Sequence, residues 1–133
     1  AASELEAGTR LLYRNVSFNT YGFLNTTDSF AARHPDAVRR VIKAYERARK
    51  WILANPDAAA QLVANEAKMS LAVARRQLAR IDFGHPVPGD EHVKALKAAG
   101  PLLVEEELVR KNANIDAVID ALVDPSFARA VIR

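Results

Sequence analysis

Residues 30–60 read FAARHPDAVRRVIKAYERARKWILANPDAAA, and this stretch decides the fold. It carries two helix-start signals, His34-Pro35-Asp36-Ala37 and Asn55-Pro56-Asp57-Ala58. Proline at the first helical position loses nothing, because its missing N–H has no intrahelical partner there. The aspartate behind it favours the positive end of the helix. Between the signals, Val38, Val41, Ile42, Tyr45, Ala48 and Ile52 recur at three- and four-residue steps. That spacing predicts a helix over 35–54 with one apolar face.

Outward from this pair the chain reads as mostly helical. Downstream, a second helix covers 56–67. A third starts at Ser70, a good N-cap, and places Leu71, Ala74, Leu78 and Ile81 on one side. Asp82–Asp90 (DFGHPVPGD) has too many prolines and glycines to be helical throughout. A fourth helix begins near Asp90, and Gly100-Pro101 is expected to end or kink it, with residues 102–111 continuing. Asn114 caps a short helix through Leu122. Asp124-Pro125 starts a last one, with Phe127, Val131 and Ile132 facing inward.

Upstream the character changes. Residues 9–16 (TRLLYRNV) and 17–24 (SFNTYGFL) are rich in β-branched and aromatic residues and predict one or two short strands. Asn25-Thr26-Thr27-Asp28 is a polar turn able to cap a short helix over 29–33. One or two strands with no others to pair make a poor independent unit, since a lone hairpin is marginal in water. They call for partners across an oligomer or in a preceding segment.

Composition narrows the classes. Half of the 133 residues are apolar and about a quarter are charged, which is ordinary globular usage and argues against disorder. The absence of cysteine removes disulfides, thiolate zinc sites and thiol catalysis. A net charge of +3 favours anions by long-range steering without indicating nucleic acid. No run approaches the roughly 20 apolar residues of a membrane span. The first ten residues, AASELEAGTR, have no basic and apolar signal-peptide pattern and no initiator Met. The expectation is a mature protein or a piece of something longer.

Several segments, taken in order, carry a resemblance. Phe30, Ala31, His34, Pro35 and Asp36 fit a "phe-ala-x-x-his-pro-asp" step into a long helix. Trp51, Ala54, Asn55 and Pro56 fit its "trp-x-x-ala-asn-pro" end. Asn114, Asp116, Leu122, Asp124, Pro125, Ser126 and Phe127 fit an "asn-x-asp…leu-x-asp-pro-ser-phe" ending. In this the chain resembles the C-terminal part of bacterial ABC-importer solute-binding proteins of the aliphatic sulfonate, taurine and nitrate group. The resemblance implies a C-terminal fragment of a two-lobed α/β periplasmic-binding-protein fold, mostly α here with one or two N-terminal strands. Residues 1–24 would supply a second-lobe strand and the crossing, or hinge, segment, and residues 25–133 the helical part of the first lobe. It implies an extracytoplasmic location in a bacterium and two partners, a small sulfonate-like anion and a membrane permease. No cofactor is implied. Family members are more than twice as long and hold the solute between two lobes, so this chain would contain one side of the cleft.

The crossing segment offers the ligand-binding candidates Asn19, Thr20 and Tyr21. Asn and Thr present hydrogen-bond donors to an anionic head group, and Tyr adds an apolar face with a polar tip. The same residues also suit a turn and a core position in a strand. His34, His85 and His92 lack the helical i, i+4 spacing of a zinc motif. Glu105, Glu106 and Glu107 point in different directions and read as a solvated run, not a catalytic pair. With no catalytic triad or phosphate loop, no catalytic residue is expected. The competing feature is a basic stripe, Arg39, Lys43, Arg47 and Lys50, which share one helix face. It gives the alternative of a small helical interaction or nucleic-acid-binding module, although Glu46 interrupts it and a solvated basic face is the plainer explanation.

Overall fold

The structure is a computed structural model that describes Gly8, Arg10, Leu12, Tyr13 and residues 21–110 and 112–132. Its described residues form seven helices: α1 (Asp28–Arg33), α2 (Pro35–Ala54), α3 (Pro56–Glu66), α4 (Leu71–Leu78), α5 (Asp90–Glu105), α6 (Ile115–Leu122) and α7 (Ser126–Val131). The punctuation read from sequence sets most boundaries. Thr27, Ser70 and Asn114 each accept a backbone N–H with the side chain at a helix start. Asp124 accepts the Ser126 N–H at 2.8 Å ahead of α7.

No strand occurs among the described residues. Of the two expected strands, Arg10, Leu12, Tyr13 and Tyr21–Leu24 carry no regular structure, and the other residues of 9–20 lie outside the described set. The physical reason is the one anticipated: a ladder needs partner strands, and the described residues supply none.

The chain forms two compact units, and each is described by itself. One is built on residues 43–85, the other on residues 21–42 and 86–132, with α2 running continuously from the second into the first. In the first unit α3 packs on α4 through small side chains. Ala59, Ala60, Ala64, Val73 and Ala74 are its buried apolar residues. Arg75 of α4 reaches Asp57 in the first turn of α3 at 3.0 Å. Here α4 ends at Leu78, so Ile81 falls outside the helix and is exposed, contrary to the expected apolar face.

In the second unit α5 packs on α6. Gly100 and Ile119 are buried at this contact, and Lys97 pairs with Asp120 at 2.7 Å. A Cβ on Gly100 would stand 2.7 Å from Ile115 Cγ2, so glycine is what permits the approach. Of the expected end or kink at Gly100-Pro101, the end does not occur: α5 runs on through Pro101 to Glu105, and residues 106–110, expected to continue the helix, are not helical. The clash that proline imposes on its predecessor involves that residue's Cβ, and Gly100 has none. Arg39 lies 5.7 Å from the Phe127 ring centroid and brings α7 to the N-terminal part of α2.

Candidate functional site

Of the three sequence-derived candidates, Asn19 and Thr20 lie outside the described residues. Tyr21 is described, and its ring is in contact with His92. The Tyr21 and His92 centroids are 4.4 Å apart with planes tilted by 48°. Phe23 joins them, 6.0 Å from His92 and 6.3 Å from Tyr21. His92 sits in the first turn of α5 and is buried, while Tyr21 and Phe23 remain partly open to solvent.

Local chemistry explains why a histidine is tolerated there. Its Nδ1 accepts the Gly89 backbone N–H at 3.0 Å, the return half of a capping box in which His replaces the usual Glu or Gln. Glycine at the N-cap offers no side-chain oxygen, so this histidine supplies the side-chain contact at the helix start. The Glu91 carboxylate stands 3.3 Å from the same nitrogen. A sequence signal existed in hindsight: a polar residue three positions after Gly89, at the capping-box spacing.

The other histidines are employed locally. The His34 ring lies 5.0 Å from that of Phe30, tilted by 49°. His85 bonds Asp82 at 2.9 Å in the loop after α4, and the second oxygen of Asp82 takes the Gly84 N–H at 2.6 Å. The Gly84 N–H, and after it His85, hold the Asp82 carboxyl below its ordinary range. Among the described residues no group of three or more metal-ligating side chains converges. A shallow depression of about 280 Å³ between α5 and α6 is lined by Pro101, Val104, Ala113, Asn114, Ile115 and Asp116. The Asn114 oxygen there is already engaged by the α6 backbone.

The basic stripe is less free than its spacing implied. Arg39 pairs with Asp36 at 2.8 Å, and Lys50 lies 3.4 Å from Glu46. Glu46, which interrupts the stripe in sequence, is buried. Arg49 grips it through two bonds, Nε to Oε2 at 2.7 Å and Nη2 to Oε1 at 2.8 Å, and donates a third to the Phe83 carbonyl at 2.8 Å. These bonds hold the Glu46 carboxyl below its ordinary range, against the opposing effect of desolvation. The helix therefore uses its charges to tether the segment after α4. Lys43 and Arg47 remain exposed.

The model of the family described as "NMT1/THI5 like" matches residues 13–59. This is a periplasmic-binding-protein family tied to ABC transporters for sulfonates, nitrate and thiamine precursors. The matched part includes Asn19, Thr20 and Tyr21, then α1, α2 and the first turn of α3. The Asp124-Pro125-Ser126-Phe127 ending lies outside it. Comparison with curated proteins and with solved structures gave no match. Among the described residues no helix is long and apolar enough to cross a membrane.

Proposed function

We propose that this chain carries part of the solute-binding component of a bacterial ABC importer, taking a small organosulfonate or related anion such as an aliphatic sulfonate, taurine or nitrate. The observation that supports this reading is the family match over residues 13–59, where the crossing segment leads into the two proline-started helices. The mechanism is closure without chemistry: two lobes rock about hinge strands and trap the solute between them. Residues 15–24 belong to the hinge and cleft wall, and Asn19, Thr20 and Tyr21 contact the solute. The helices from Pro35 onward back that wall. The closed form is presented to a membrane permease outside the cytoplasm.

Calorimetric titration of the protein at its full encoded length with alkanesulfonates, taurine, nitrate and a thiamine-precursor pyrimidine tests the reading. Saturable binding of a sulfonate or nitrate, with no retention on heparin at moderate salt, is expected. Binding of the pyrimidine alone would keep the importer and replace the ligand. Binding of none of them, together with DNA affinity that falls steeply with salt, would return the protein to the basic-stripe alternative.

A further inference from the structure

Positive charge is concentrated in the unit built on residues 43–85. Those residues hold eight Lys and Arg against four Asp and Glu, an excess of four, whereas the whole chain has an excess of three. Within this unit, residues 43–54 of α2 owe their cationic surface to one burial. Glu46 is their only acidic residue, and it is buried with Arg49 and Lys50 on its carboxylate. The exposed surface of the segment is therefore left to cations and apolar groups. Lys43 and Arg47 are exposed, and no carboxylate among the described residues pairs with either. Lys50, beside Glu46, keeps 60% of its side chain exposed.

An apolar arc runs beside these cations. Lys43, Arg47 and Trp51 follow one another at four-residue steps, so Trp51 stands at the edge of the cationic strip. Next to it Ala44 and Ala48 are exposed, and Tyr45 closes the far edge of the arc. Tyr45 exposes 64% of its surface and Trp51 43%, so both large rings meet water. Duplex nucleic acid would answer the cations and leave these rings wet. A second copy laid on the same face would set like charges together. An anionic bilayer surface answers both halves at once. Its headgroups take Lys and Arg, Trp and Tyr rest at headgroup level, and a fluid surface conforms to a convex helix.

We propose that residues 43–54 of α2 form a docking face for an anionic membrane surface. Lys43, Arg47 and Lys50 lie among the lipid headgroups, and Trp51 and Tyr45 sit at their level. The helix rests on the surface without entering the bilayer core, in keeping with the lack, among the described residues, of a helix able to cross it. Attachment is weak and reversible, because three cations and two rings supply far less than an inserted helix does. The docking face goes beyond the solute reading and does not depend on it, since no residue of the crossing segment takes part.

Co-sedimentation of the full-length protein with vesicles tests it, comparing phosphatidylglycerol mixed into phosphatidylcholine with phosphatidylcholine alone. Binding to the mixed vesicles at low salt, release as salt rises and no binding to the neutral ones are expected. Lys43→Gln and Arg47→Gln should each weaken binding about fivefold, the effect of one cation near a charged surface. Trp51→Ala should also cost about fivefold, with the salt dependence unchanged. Arg110→Gln, outside this unit, should leave binding as it is, and circular dichroism checks that each variant is folded. The emission difference between wild type and Trp51→Phe isolates Trp51, and its maximum should move to the blue on mixed vesicles. No binding to mixed vesicles at low salt, or equal weakening by Lys43→Gln, Arg47→Gln and Arg110→Gln, would overturn the docking face. Affinity for duplex DNA in place of vesicles, lost in the Lys43→Gln/Arg47→Gln double variant, would overturn the lipid and give the face to nucleic acid.

Discussion

The two helix pairs, α3 with α4 and α5 with α6, solve the same packing problem differently. The first brings its axes together with alanines on both sides: Ala59, Ala60 and Ala64 face Val73 and Ala74, and Ala74 has no exposed surface. The second uses one notch, Gly100, into which Ile115 fits, with Ile119 buried beside it. Alanine costs helix formation nothing, whereas a mid-helix glycine costs about 1 kcal/mol in propensity. The notch is therefore kept for its geometry and against propensity. The difference teaches where each pair is fragile: the alanine pair along its whole seam, the glycine pair at one atom.

The largest expected effect is on the alanine seam. Ala74→Leu places three extra carbons where no surface is exposed and should destabilise the protein by about 3 kcal/mol, at the upper end for overpacking. Chemical denaturation reads it directly. A cost below about 0.5 kcal/mol would mean that the seam has slack and that the contrast with the notch is false. Next comes Gly100→Ala, at about 2 kcal/mol, because steric conflict with Ile115 exceeds the gain in helix propensity. Pairing it with Ile115→Ala sharpens the point. The double variant should recover part of the loss as a favourable coupling, and strict additivity would show that Ile115 is not the atom in the way.

A smaller effect belongs to the tether between α2 and Phe83. Glu46→Gln keeps shape but turns an amide N–H₂ toward Arg49, with an expected loss of about 1 kcal/mol. The sign of its pH dependence follows from the lowered folded-state pKa of Glu46. The unfolded chain takes up the proton first as pH falls, so the tether's contribution is whole above the ordinary glutamate range near pH ~4.3. It is lost progressively as pH drops from there through the lower folded value. Stability profiles of wild type and Glu46→Gln should converge in acid and separate above it. Profiles that stay parallel would remove Glu46 from the tether.

How much of this was legible depends on the range of the interaction concerned. The Pro-Asp starts and the Thr27, Ser70 and Asn114 caps are local chemistry, so they could be read position by position, and α2 begins and ends where they say. The apolar stripe of α2 was only half legible. Val41 and Tyr45 carry the period but are exposed, because Glu46 and Arg49 take a place on the buried side. No period reveals that a carboxylate will be buried by an arginine three residues on and a carbonyl near residue 83. Pro101 was legible only in part: the local rule gives an end or a kink, and Gly100, with no Cβ to meet the proline ring, lets α5 run on to Glu105. At the candidate site, Tyr21 could be named from residue type, whereas His92 is 71 positions away in sequence and meets it only in three dimensions.

The smallest expected effect concerns how the two pairs turn their corners, and there they agree. After α3, Lys68 donates to the Asn65 carbonyl and Met69 to the Ala64 carbonyl; after α5, Glu107 donates to the Val104 carbonyl and Leu108 to the Leu103 carbonyl. Both are Schellman terminations, which call for glycine at the left-handed position. Neither has it: Lys68 sits at φ 51° and Glu107 at φ 56°. A side chain there costs about 1–2 kcal/mol, and glycine returns part of that gain through its greater freedom in the unfolded chain. Lys68→Gly should raise stability by about 0.5 kcal/mol, visible as a small upward shift in the denaturation midpoint with unchanged slope, whereas Glu107→Gly, which also alters an interaction that Glu107 makes, should gain less. The two gains should add, since the caps serve separate helix pairs. A gain at one corner and a loss at the other would show that the pairs differ at their turns as well as at their seams, and would tie the losing side chain to a contact of its own.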